Sequence, residues 1–270
     1  MGKHLPIALR YLGGKSKIAE WTISQFPKHK TYGELFAGGA VTLINKPIVT
    51  NEIYNDKAGN VVNVFRVLRD HGELLKELLR LTPYSRDEFM LSLEPTDNDI
   101  ELARRTVIRS MMSFGGAGIY NTSSGFRAVA NNNTSAPKRW MSYIEALDII
   151  IERFRYVTIE NRPAIELMPI HDSPETLYYL DPPYLQSTRV KGSNQYEHEM
   201  SEQDHIDLAN ESHKCKGMII ISGYHSDLYD DLYKDWQVLE KSSQAGSVKG
   251  GVKRTEVLWL SPNIRQRSLF

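Results

Sequence analysis

The stretch Leu177-Tyr178-Tyr179-Leu180-Asp181-Pro182-Pro183-Tyr184 decides how this chain is read. A short apolar run bounded by a turn signal predicts a buried strand. The acid and prolines that follow then stand at its carboxyl end, where open α/β sheets keep their chemistry. Proline fixes its own φ, lacks an N–H and pushes the preceding residue out of the helical region, so Asp181 and Pro182 are expected in a rigid, extended loop. Two hydrogen-bond acceptors, the Asp181 carboxylate and the Pro182 carbonyl, are thereby set side by side next to the flat face of Tyr184. An exocyclic amino group on a planar base needs such a site. Its lone pair is delocalised into the ring, and two acceptors on its two protons push the nitrogen towards a nucleophilic, tetrahedral form while a stacked ring holds the base. The same residues also read as a Pro-Pro turn with an acid at the turn and a tyrosine packed on the surface, so the rest of the chain has to decide.

Towards the N-terminus the pattern alternates between strand, loop and helix. Gly13 and Gly14 break a short apolar stretch before a helical pattern at Ile18, Ala19, Trp21 and Ile23. A strand-like run ends in Tyr32-Gly33-Glu34-Leu35-Phe36-Ala37-Gly38-Gly39-Ala40, and Val41, Leu43 and Ile44 open another apolar segment. The strand expected over Ile48–Tyr54 finishes at Asn55-Asp56, placing an acid about 20 residues after the glycine loop, where nucleotide-binding folds put a ribose-hydroxyl acceptor. A helix over Val61–Leu68 closes the unit. The glycine spacing is not G-x-G-x-x-G, so by itself the loop is equally a structural βα turn. Beyond the tetrapeptide, strands are expected over Val157–Ile159, Gly217–Ser222, Trp236–Glu240 and Glu256–Leu260, with a helix near Glu202–Ser212.

Between these halves, residues 73–156 read as helices around a Gly-, Asn- and Ser-rich surface loop, Phe114–Pro137. Lys plus Arg and Asp plus Glu are each 33, a formal net charge of zero. Yet residues 104–139 hold Arg104, Arg105, Arg109, Arg127, Lys138 and Arg139 and no acid. Such a stretch is either a solvated face or a phosphate-binding surface. Tyr120, Phe126 and Trp140 interleave with it and either stack on bases or pack internally. Cys215 is the single cysteine, which rules out an internal disulfide and a multi-cysteine zinc site. No apolar stretch approaches about 18 residues, so the expectation is a soluble, cytosolic chain with no membrane partner; no metal is expected, and the oligomeric state is left open between a monomer and a weak dimer.

Taken in order, Tyr11-Leu12-Gly13-Gly14-Lys15, Glu34 to Gly39, Asn55-Asp56, the insert, Asp181 to Tyr184 and Ile221-Ser222-Gly223-Tyr224 resemble the Dam-type (D12 class) DNA adenine-N6 methyltransferases. The ending Arg254-Thr255-Glu256-Val257-Leu258-Trp259-Leu260-Ser261-Pro262 is similar to that of phage and prophage members. The resemblance implies an α/β fold, a Rossmann-like S-adenosylmethionine-dependent methyltransferase sheet built from residues 1–72 and 157–270, with 73–156 as an inserted, mainly helical target-recognition domain. It implies S-adenosylmethionine as cofactor, held by Tyr11, Lys15, Glu34, Phe36, Gly38, Asp56 and Asp181. Asp181, Pro182 and Tyr184 would be catalytic, acting on N6 of an adenine flipped out of double-stranded DNA. Arg105, Arg109, Tyr120, Asn121, Arg127, Lys138 and Arg139 would meet the DNA. One departure stands out: Ile119 falls where the family carries an arginine that reads a base, a contact worth about 1–3 kcal/mol of discrimination. Altered or relaxed specificity relative to GATC is therefore expected. The loops Gln186–His198 and Ser242–Lys253, with Arg189, Lys191, Lys249 and Lys253, are expected to order on DNA.

Three other readings fit parts of the chain. A methyltransferase of the same fold could act on cytosine N4, an RNA adenine or a protein glutamine, although Asp at position 181 favours DNA adenine. A DNA-binding module could keep the fold without activity, against which stand Lys15, Asp56 and Asp181. A nucleotide-dependent dehydrogenase would use the glycine loop and Asp56 but leave Asp181 to Tyr184 idle.

Overall fold

In the computed structural model, residues 6–11, 13–16, 18–114, 116–120, 125–128, 135–189, 196–244 and 253–267 are described. They form a seven-stranded sheet flanked by helices on both faces. The strands are β1 (Thr31–Glu34), β2 (Asn51–Asn55), β3 (Val157–Glu160), β4 (Thr176–Leu180), β5 (Met218–Gly223), β6 (Gln237–Gln244) and β7 (Lys253–Leu260), in the spatial order β3-β2-β1-β4-β5-β7-β6. The first five are parallel, and β7 enters antiparallel between β5 and β6. The order reverses between β1 and β4, and the crevice outside the carboxyl ends of strands at such a switch point is where ligands bind. This is a Rossmann-like sheet with an antiparallel hairpin at one edge.

The helices are α1 (Ala19–Ser24), α2 (Val41–Asn45), α3 (Gly59–Leu81), α4 (Arg86–Leu91), α5 (Asp99–Met112), α6 (Ala136–Glu145), α7 (Leu147–Phe154), α8 (Ala164–His171), α9 (Glu202–Lys214), α10 (Asp227–Leu232) and α11 (Pro262–Arg267). Successive side chains of a strand point to opposite faces, and the central strands follow that rule with both faces buried. Leu177, Tyr179, Met218, Ile220, Leu258 and Leu260 join the core that also contains α3, α5, α6 and α7. Tyr178, Leu180, Ile219, Ile221, Val257 and Trp259 join the core under α8, α9 and α10. This explains why the strand before Asp181 reads as an unbroken apolar run rather than an alternation.

The structure departs from the sequence reading in several places. The helix expected over Val61–Leu68 is followed without a loop by a second helical stretch to Leu81, the two meeting at a kink at His71 (φ −137°). The strand expected from Ile48 begins at Asn51, and Ile48 is exposed. The final strands are longer than expected and pair as a hairpin from Gln237↔Leu260 to Gln244↔Lys253. Gly116–Ile119 forms a short 3-10 turn inside the expected surface loop, and Ile119 is buried.

Candidate active site

Three parallel strands deliver the site. At the end of β1 stand Glu34, Leu35 and Phe36; at the end of β2 stands Asp56; at the end of β4 stands Asp181. A cleft opens there, lined by Tyr11, Phe36, Asp56, Tyr120, Asp181 and Tyr196, and further on by Ala58, Pro163, Ile165, Met200 and Leu208. A narrower recess adds Gly13, Gly14, Lys15, Glu34 and Gly38.

The glycine loop is shaped for close approach. Gly38 has φ +46°, and a Cβ there would lie 2.6 Å from the Tyr11 ring; Gly13 has φ +71°, and a Cβ there would lie 2.5 Å from the Tyr196 hydroxyl. Positive φ is a conformation that only glycine adopts without cost. The Gly38 N–H donates to Asp56 Oδ2 at 2.8 Å and the Ala58 N–H to Oδ1 at 2.9 Å. Burial pushes the Asp56 carboxyl up, and the two backbone donors pull against it. Each oxygen keeps acceptor capacity towards the cleft, which suits ribose hydroxyls. Glu34 is buried and accepts from Tyr32 Oη at 2.8 Å; burial, opposed by that hydrogen bond and reinforced by Asp181, raises its carboxyl to about 8.

Around Asp181 the contacts are dense. Ser222 Oγ donates to Asp181 Oδ1 at 2.7 Å, and Lys15 Nζ lies 3.1 Å from the same oxygen. Burial raises the Asp181 carboxyl, while Lys15 and Ser222 act in the opposite direction. Among the described residues both partners converge on Oδ1. Lys15 also donates to Tyr184 Oη and sits 4.3 Å from the centre of its ring. The lysine that the resemblance assigns to the methyl donor is thus tied to the residues assigned to the methyl acceptor. Burial disfavours its charge, but Asp181 and Glu256 outweigh burial and raise its pKa.

Several recognition residues of the insert have other employment. Arg104 and Arg105 both pair with Glu101 at 2.7 Å, and Arg104 also meets Glu88 at 2.8 Å. Arg109 donates to Ser92 O and Thr106 Oγ1, and Arg127 to Met111 O. Glu101, three residues before the acid-free window, and Glu88 from α4 pair with its first arginines, so that window does not present six unpaired cations. Trp140 is buried and donates to Thr82 O at 3.1 Å, and Phe126 packs against Tyr84 and Phe89. Tyr120 does not stand on an outer surface: its hydroxyl donates to Tyr11 Oη, its ring meets Tyr11 edge-on at 5.7 Å, and it walls the cleft. Lys138 is exposed and Arg139 half-buried. Asn121, Lys191 and Lys249 lie outside the described residues. Arg189 forms an ion pair with Glu199 at 2.9 Å and lies over the Tyr196 ring.

Glu256 and Tyr196 were not anticipated as site residues, and Ser222 and Tyr224 were noted only as part of a motif. An isolated acid opening the apolar run Val257–Leu260 was the available signal for Glu256.

The α/β sheet, with a cleft at its switch point and the Asp181–Tyr184 loop beside it, is the frame of an S-adenosylmethionine-dependent methyltransferase. The chain matches the D12 class N6 adenine-specific DNA methyltransferases over residues 11–246 and belongs to that family. Membership implies S-adenosylmethionine as methyl donor and DNA as substrate. No curated protein matches the chain. Among solved structures, a precorrin-6y C5,15-methyltransferase from Geobacter metallireducens is similar at 8% identity and a TM-score of 0.37, over 90% of this chain and 86% of that one.

Proposed function

We propose that this protein transfers a methyl group from S-adenosylmethionine to N6 of an adenine flipped out of double-stranded DNA, and that it acts in the cytosol. The observation that carries the reading is Asp181 at the carboxyl end of β4, its Oδ1 held by Ser222 and Lys15. The donor fits the cleft. Asp56 offers a buried carboxylate, and Glu197, Asp204 and Asp207 line the cleft with it against Lys57 and, in the adjoining recess, Lys15. That charge balance suits a sulfonium cation and disfavours the pyrophosphate of a dinucleotide. When bound, S-adenosylmethionine supplies an electrophilic methyl group.

The remaining work belongs to the chain. Asp56 orients the donor's hydroxyls, and Phe36 and Tyr11 wall its apolar part. Asp181 and the Pro182 carbonyl accept from the two protons of the target amine, and Tyr184 offers its ring to the base. Catalysis then rests on positioning and on a preorganised acceptor where positive charge develops. Flipping costs a few kcal/mol of unstacking, which contacts to the DNA backbone offset. Residues 73–156 form the target-recognition part, with Lys138 and Arg139 best disposed to meet phosphates. Since Ile119 is buried instead of reading a base, specificity is altered or relaxed relative to GATC. The test is to incubate the protein with unmethylated duplex DNA and donor, and to digest to nucleosides for mass spectrometry. N6-methyladenine is expected; N4-methylcytosine alone, or no methylated nucleoside, would overturn the reading. Sequencing the product for methylated sites tests specificity, and strict GATC methylation would contradict that part.

A further inference from the structure

The buried ammonium of Lys15 is shared between two carboxylates. Asp181 Oδ1 lies 3.1 Å from it and Glu256 Oε2 3.6 Å, and all three side chains are at most 20% exposed. Glu256 has further partners. Its Oε2 accepts from Tyr184 Oη at 2.9 Å and its Oε1 from Tyr224 Oη at 3.3 Å. The two tyrosine rings meet edge-on, 4.6 Å apart and at 78°. The antiparallel pairing of β7 with β5 accounts for the placement: Gly223 stands opposite Val257, which brings Glu256 abreast of Tyr224. One carboxylate therefore touches the lysine, the tyrosine of the amine-binding loop and the tyrosine that packs on it.

We propose that Glu256 is a positioning residue for methyl transfer, fixing the plane of the Tyr184 ring and drawing Lys15 partly away from Asp181. This rests on the reading of Asp181 and Tyr184 as the amine site. The physical reason is competition for one cation. A carboxylate in a full, buried ion pair with an ammonium is a weak acceptor for a neutral amine, because its negative charge is already neutralised. With Glu256 taking part of the lysine, the Asp181 carboxylate keeps charge for the incoming amino group. The hydroxyl bond to Glu256 also removes the rotational freedom of Tyr184, which would otherwise have to be lost when the base arrives.

Glu256→Gln tests this with little change of shape. It keeps one acceptor for a tyrosine hydroxyl and loses the charge facing Lys15. The expected result is a fall in kcat of about tenfold or more, with donor affinity by calorimetry within about twofold and KM for DNA little changed. Glu256→Asp, which restores the charge but shortens the reach, is expected to recover part of the rate. A second readout does not depend on activity: competitive acylation followed by mass spectrometry. In Glu256→Gln, Lys15 should label several-fold faster relative to exposed Lys30, since one of the two carboxylates favouring its charged form is gone. Wild-type kcat in Glu256→Gln, a loss confined to donor affinity, or an unchanged Lys15 labelling ratio would each overturn the proposal. A wild-type protein that forms no N6-methyladenine would instead fail the reading of the site, and the labelling ratio would still decide whether Glu256 holds Lys15.

Discussion

Replacing Gly38 by alanine perturbs the donor cleft at a point where the cost can be worked out. Gly38 has φ +46°, and the new Cβ would lie 2.6 Å from Cε1 and 2.7 Å from Cδ1 of Tyr11. Holding an L-residue in the left-handed region costs about 1–2 kcal/mol, and forcing a methyl group into a packed contact costs about 1–3 kcal/mol more. The free protein can relieve the second part by swinging the Tyr11 ring away, which breaks its contact with Tyr120 and loosens the wall beside Asp56. Donor binding must then restore that wall, so the relieved strain reappears as lost affinity. Since about 1.4 kcal/mol is a factor of ten, donor binding should weaken at least tenfold by calorimetry, with a fall in Tm of only a few degrees. Gly59→Ala is the control. At Gly59 a Cβ would make an ordinary 3.8 Å contact with Asn161, and alanine gains about 0.5–1 kcal/mol over glycine within a helix. Wild-type donor affinity in Gly38→Ala would show that the loop accepts a side chain without disturbing the Tyr11 wall.

Two further outcomes follow from the electrostatics. The folded-state carboxyl of Glu34 is raised from 4.5 to about 8, so its contribution to stability is complete below about pH 4.5 and is lost as pH rises through about 8. Glu34→Gln should remove that part of the slope of Tm against pH, and parallel slopes for the two proteins would contradict the assignment. On DNA, Lys138→Ala should reduce the slope of log affinity against log salt by about one, whereas Arg105→Ala should leave it nearly unchanged because Arg105 is paired with Glu101 at 2.7 Å. Equal effects of the two substitutions would show that the internal pair opens on DNA.

The sheet was legible wherever a strand is buried on both faces. Leu177–Leu180 and Met218–Ile221 read as unbroken apolar runs, and Asp56 and Asp181 stand at strand ends as expected. The start of β2 was misplaced because Ile48 is apolar in sequence but exposed in the fold. Pairing, not hydropathy, begins that strand at Asn51. The helical patterns over Val61–Leu68 and from residue 73 were both legible, and the structure joins them across a kink at His71, where Gly72 packs against Ile151. Glu256 escaped notice because only the long-range β5–β7 pairing brings it to Tyr184. Two cations of the basic window have an acidic partner for a local reason. The window starts at Arg104, just past Glu101, and an acid three or four residues before an arginine on a helix lies on the same face and pairs with it.

The most direct test of the central claim is the single-turnover rate of methyl transfer to a defined DNA duplex by Asp181→Ala, with donor affinity measured on the same preparation. Removing one preorganised polar partner of a developing charge costs about 10²–10³ in rate. A loss of at least that size is expected, with N6-methyladenine as the wild-type product and a folded variant that still binds donor. An Asp181→Ala protein that methylates adenine at close to the wild-type rate would contradict that expectation.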